Sequence, residues 1–184
     1  MPASRRPSTP RTDRPRTERP ARAAEPPPAD APPAVTVVLV EPEIPPNTGN
    51  VARLCAATGC RLVLLGRLGF ELTDAALKRA GLDYWPYVHW EHHPDAEAYI
   101  EALPAGRFHL LSTHATRPYT QMPARAGDWL LFGRETAGLP RALMERYRQQ
   151  CYTVPISEPG VRSLNLASAV AIVTFDVLRR LRGF

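Results

Sequence analysis

From residue 35 onward the apolar positions follow two periods in alternation. Val35–Val40 is apolar except for Thr36 and rich in β-branched residues, the pattern of a strand covered on both faces. Thr48–Thr58, closed by Gly59, has helical spacing, and Arg61–Leu65 predicts the next strand. Thr73 caps a short predicted helix, Asp74–Ala80, that ends at Gly81. Tyr87–Trp90 reads as a strand, and Pro94–Leu103 as a helix with proline in its first turn. Phe108–Ser112 and Asp128–Phe132 are two more strands; Arg141–Gln149 is a helix leading to the strand Cys151–Val154. Leu164–Arg182 forms the last helix. Strand alternating with helix predicts an α/β fold with a mainly parallel sheet and helices on both faces. The last helix is apolar nearly all round until Arg179, so it needs cover on more than one side. Other elements or a second subunit could supply that cover. A chain with so few elements to spare favours the subunit, hence a homodimer through the C-terminal helix.

Composition divides the chain in two. Residues 1–34 hold ten of the 21 prolines, and seven arginines against four acidic residues. Such a segment cannot bury enough apolar surface to offset its ordering entropy, so it is expected to be a disordered extension, with residues 35–184 as the domain. It lacks the apolar region of a secretory signal, and its prolines oppose the amphipathic helix of a transit peptide. It is either an electrostatic arm for RNA or a dispensable extension, and its acidic residues favour the second. Of the net charge of +5, only +2 belongs to residues 35–184, so a high pI is no nucleic-acid signal by itself. Cys55, Cys60 and Cys151 are odd in number and lack C-x-x-C spacing, which suggests reduced thiols and a cytoplasmic protein. Leu166–Phe175 is too short for a membrane span.

Three places where a strand hands over to a helix carry small, polar, backbone-exposing residues. They are Asn47–Arg53, Phe132–Pro140 and Ser163–Ala169. In α/β sheets ligands bind at such edges, so the three suggest one composite site. Common templates fail there. Gly133–Gly138 has phosphate-loop spacing, but Leu139-Pro140 replaces Lys-Ser/Thr. Gly66 and Gly69 do not make a dinucleotide fingerprint. His89, Glu91, His92, His93 and Asp95 could bind a metal, but such a run is more often a solvated strand end, and no metal is expected. Arg53 lies in a helix whose N-terminus gathers free N–H groups and a positive dipole end. Its guanidinium is a fork of donors for phosphate or carboxylate; the alternative is a surface salt bridge with Glu41 or Glu43.

Taken together, Ile44-Pro45-Pro46-Asn47-Thr48-Gly49-Asn50-Val51-Ala52-Arg53-Leu54-Cys55-Ala56 resembles the first signature of the SPOUT superfamily of RNA methyltransferases. Leu131-Phe132-Gly133-x-Glu135-Thr136-x-Gly138-Leu139-Pro140 resembles the second, and Val154-Pro155-Ile156 with Arg162-Ser163-Leu164-Asn165-Leu166 the third. Glu41-Pro42-Glu43-Ile44-Pro45 and Ala80-Gly81-Leu82-Asp83-Tyr84 are similar to those of the small members that methylate the ribose of the tRNA wobble nucleotide. The likeness runs in order over residues 35–182.

That resemblance implies a C-terminal deep trefoil knot, a homodimer, and S-adenosylmethionine bound in the knot without a metal. It implies 2′-O-methylation of wobble cytidine or modified uridine in the tRNA anticodon stem-loop, with leucine tRNAs the expected substrates. Leu111, Gly133, Glu135, Val154, Ile156, Ser163 and Leu164 are the expected donor-binding residues. Arg53, Asn47, Ser163 and Asn165 are the expected catalytic set, and Arg53, Arg134 and Arg162 the substrate contacts. Gly133 is read as allowing backbone to approach the adenosine closely. Two departures stand out. Arg134 occupies a place where relatives often have proline, and Pro159-Gly160-Val161 lengthens the loop before Arg162 by about one residue relative to the family's pattern. Arg134 either contacts RNA or is a solvated loop charge. Alternatives to the leading reading are methylation of another tRNA position or of rRNA, and an RNA-binding protein that keeps the fold without catalysis.

Overall fold

The computed structural model describes residues 33–71 and 84–183. The predicted extension (apart from its last two residues) and the predicted helix Asp74–Ala80 lie outside the described residues. Six strands form one parallel sheet: β1 (Val35–Val40), β2 (Arg61–Leu65), β3 (Trp90–His93), β4 (Phe108–Leu111), β5 (Asp128–Phe132) and β6 (Cys151–Tyr152). Their order across the sheet is β3-β2-β1-β5-β4-β6. The chain builds outward from β1 to one side, then jumps across it to build the other. The switch falls between β1 and β5.

The two-residue period of β1 explains why both faces are covered. Val35, Val37 and Leu39 pack with Leu62 and Leu64 against α1 (Pro45–Thr58) and α4 (Leu166–Arg182). Val38 and Val40 point the other way with Val63 and Leu65, toward α2 (Ala96–Glu101) and α3 (Arg141–Arg146). Alternating apolar residues thus feed two cores from one strand, as a sheet covered on both sides requires. All three cysteines are buried and free. Burial pushes their thiols up, which makes them poor nucleophiles.

Element ends differ from the sequence reading for identifiable reasons. α1 begins at Pro45, three residues early, because prolines fit the first helical positions, where no N–H is needed. β3 starts at Trp90, since Trp85–Tyr87 closes a 3₁₀ turn and the ladder to β2 opens only at the His89 carbonyl. The Asp95 side chain accepts from the Ala98 N–H, so α2 starts after Asp95 and not at Pro94. α3 stops at Arg146, and β6 holds only two residues. α4 starts at Leu166, two residues late, with Asn165 as its cap.

Candidate functional site

The β1/β5 switch point gathers the first two candidate loops. β1 ends at Val40 and leads through Glu41–Ile44 into α1; β5 ends at Phe132 and leads into Gly133–Pro140. The Glu135 carboxylate joins them. One oxygen accepts the Glu43 N–H at 2.8 Å, and the other accepts the Ile44 N–H at 3.2 Å and Asn47 Nδ2 at 3.0 Å. A carboxylate at the N-terminal approach of α1 also meets the positive end of that helix. The bond is returned. The Glu43 carboxylate accepts the Thr136 hydroxyl at 2.7 Å and its N–H at 3.2 Å, and the hydroxyl bond holds Glu43 below the usual carboxylate range.

Asn47 is 6 % exposed and passes the connection on, its Oδ1 accepting Asn165 Nδ2 at 2.8 Å. Asn165 Oδ1 caps α4, accepting the N–H groups of Ala167 at 2.9 Å and Ser168 at 3.3 Å. Glu135, Asn47 and Asn165 therefore form one hydrogen-bonded line from the β5 loop through α1 to α4. These polar atoms are engaged within the chain, which makes the line a frame for a site. Ser163, Leu164 and Arg162, immediately before it, are exposed.

A second group lies level at the carboxyl edge. Leu111 pairs with Phe132 on one side and Tyr152 on the other, so Leu111, Gly133 and the Val154–Ile156 segment emerge side by side. Among the described residues no hydrogen bond reaches the N–H groups of Val154 or Ile156. Apolar side chains beside free backbone donors suit an adenine ring, so these residues fit the adenosyl donor. The structure gives Gly133 a reason within the chain, beside the one read in the sequence. A Cβ there would lie 2.1 Å from the Gly138 carbonyl carbon, because Arg134 and Gly138 exchange backbone hydrogen bonds across a tight loop. The glycine is demanded by the chain itself. A groove of about 670 Å³ opens beside this loop, lined by Arg134, Gly138–Arg141, His114 and Met144, and of the candidates only Arg134 reaches it.

Arg53 stands apart from this frame. Six residues beyond Asn47, about 9 Å along α1, it faces outward and is exposed. The proposed salt-bridge partners are taken: Glu41 pairs with Arg134, and Glu43 holds Thr136. The Arg53 guanidinium lies 4.5 Å from the centre of the Tyr84 ring instead. Glu43, Thr136 and Tyr84 were not among the predicted site residues, although Glu43 and Tyr84 sit in the two short motifs quoted above. Among the described residues no group of three or more His, Cys, Asp or Glu could hold a metal. His92 meets the Gly66 carbonyl at 2.9 Å, and His93 pairs with Glu91. No described helix is long and apolar enough to cross a membrane.

Residues 34–175 match the model of the SpoU rRNA methylase family. The chain is 48 % identical over 147 residues to a tRNA (cytidine(34)-2′-O)-methyltransferase of Burkholderia pseudomallei, a match covering 78 % of this chain and 94 % of that protein. A solved structure described as giving insight into 2′-OH methylation of C/U34 on tRNA superposes with a TM-score of 0.76 at 44 % identity. It covers 84 % of this chain and all of the other. An AdoMet-bound rRNA methyltransferase from Sinorhizobium meliloti shares the fold at a TM-score of 0.69 and 24 % identity, over 80 % of this chain and 56 % of that one. With the family model spanning most of its length, the chain belongs to the SpoU rRNA methylase family.

Proposed function

We propose that this protein is a tRNA methyltransferase that transfers a methyl group from S-adenosylmethionine to the ribose 2′-hydroxyl of nucleotide 34, the wobble position. The observation that carries this is the 48 % identity over 94 % of a relative named for that reaction. When bound, S-adenosylmethionine supplies a methyl group activated on a sulfonium. Leu111, Val154, Ile156 and Leu164 provide apolar faces and backbone donors for its adenosine, with Gly133, Glu135 and Ser163 shaping the surrounding loops. Arg53 orients the target nucleotide and stabilises negative charge growing on the 2′-oxygen; Arg134 and Arg162 hold the RNA. A guanidinium only donates, so the proton goes to a phosphate or water and the Arg53 contribution is electrostatic. Positioning of the target nucleotide would matter more than acid–base chemistry, and the Glu135–Asn47–Asn165 line would keep the loops around it rigid.

The same reading includes a C-terminal trefoil knot, a homodimer and work in the cytoplasm on the anticodon stem-loop of leucine tRNAs. Val161, Leu164, Ile172 and Phe175 support the dimer: all are large, apolar and between 37 % and 46 % exposed, and Ile172 and Phe175 lie on one face of α4. Incubation of the full chain with S-adenosylmethionine and leucine tRNA transcripts, followed by nucleoside mapping, tests the function. A methylated ribose at position 34 is expected; methylation at another position or of rRNA alone would overturn the assignment.

A further inference from the structure

Tyr84 is tied to the turn of α1 that bears Arg53. Its hydroxyl donates to the Gly49 carbonyl at 2.7 Å, the same carbonyl that, one helical turn on, accepts the backbone N–H of Arg53. The ring is half-buried against the core that α1 covers, and its face lies 4.5 Å from the Arg53 guanidinium carbon. An aromatic face holds a guanidinium by electrostatic attraction and flat packing without occupying its N–H donors. A carboxylate would hold it too, but would neutralise the charge and fill the fork. Among the described residues no carboxylate forms an ion pair with Arg53, whereas Arg134, Arg141 and Arg146 each have one.

We infer that Tyr84 is a positioning residue that holds the Arg53 guanidinium over its ring with the donors free for the RNA. The inference rests on the proposed role of Arg53 at the target nucleotide. The experiment is a double-mutant cycle on the full chain, with S-adenosylmethionine and a tRNA transcript as substrates. Tyr84→Leu should lower kcat about 3- to 10-fold, with donor Kd unchanged, while Tyr84→Phe, which keeps the ring, stays within about two-fold. In an Arg53→Ala background Tyr84→Leu should cost nothing more. Equal losses in both backgrounds would show a merely structural role and overturn the inference. So would a slow Arg53→Ala beside a fully active Tyr84→Leu. An Arg53→Ala protein at wild-type rate would overturn the role of Arg53 itself. A measurement free of mutant folding is the Arg53 Nε–H resonance of the wild-type protein. It should be ring-current shifted upfield, and an unshifted signal would overturn the stacking.

Discussion

Asn165 donates from Nδ2 to the Oδ1 of Asn47 over 2.8 Å, and this bond joins the N-termini of the first and last helices across 118 residues of sequence. The Asn165 amide oxygen faces the other way and caps α4, so a single side chain both starts its helix and fastens it to α1. Asn165→Ala removes both contributions, and a loss of about 1–2 kcal/mol in chemical denaturation is expected. Asn165→Asp keeps the cap but turns an oxygen toward the Asn47 oxygen. It should recover part of the stability while still weakening turnover.

Arg53 should separate turnover from donor binding. Arg53→Ala is expected to slow methyl transfer by about 10²–10³ while S-adenosylmethionine Kd, read by calorimetry, stays near wild type. Lost donor binding, or turnover within a few-fold of normal, would show that Arg53 does something else.

Gly133 and Gly160 offer a matched pair. At Gly133 an added Cβ meets the Gly138 backbone at 2.1 Å, whereas at Gly160 its nearest neighbour is the flexible Glu158 side chain at 3.2 Å. Gly133→Ala should cost about 3 kcal/mol or prevent folding, since backbone cannot yield as a side chain does. Gly160→Ala should leave the melting temperature nearly unchanged.

His109 should make stability depend on pH. Its ring is 2 % exposed, Nε2 meets Asp128 at 3.0 Å, and Nδ1 has no partner among the described residues. Burial lowers its pKa below the ordinary 6.5, outweighing the opposing pull of Asp128. The unfolded chain therefore takes up this proton first. The contribution is complete above about pH 6.5 and is lost as pH falls through the lower folded value. Urea melts at pH 7, 6 and 5 should show the decline, and His109→Gln should flatten it. An unchanged slope would assign the effect to other groups.

The proposed dimer is best probed at residues that the chain leaves exposed. Val170 is fully buried in the chain's own core, so changing it would damage the fold, whereas Phe175 is 46 % and Ile172 39 % exposed. The double variant Ile172→Glu, Phe175→Glu should sediment near the 20.4 kDa chain mass, and the native protein near twice that. A native monomer would count against the proposed homodimer.

Local patterns in the sequence identified the central strands well, because a strand buried on both faces announces itself by β-branched continuity, as in Val35–Val40. The edge strand expected at Tyr87–Trp90, by contrast, lies at Trp90–His93. Helix starts were harder to see. At Pro45 and Asn165 the boundary depends on which backbone donors need partners, and spacing alone does not carry that. The site was readable as three loops, and family resemblance supplied their roles. What joins them was not legible. Nothing near Glu135 in the sequence says that its carboxylate receives Asn47 and two N–H groups from residues 43 and 44, since those bonds exist only once β5 lies beside β1. The same holds for Arg53, whose partner among the described residues is the Tyr84 ring.

The place of β5 between β1 and β4 also sets a timetable. As the chain leaves the ribosome, β1 can pair early with β2 on one side, but its other edge stays open until Asp128–Phe132 has been made. Until then Val35–Val40 presents an apolar strand edge, the kind that recruits strands from neighbouring chains. Such long-range pairing makes folding slow, because a large loop must close before the contact forms. Slower expression at lower temperature should therefore raise the soluble fraction without any change in the stability of the finished protein.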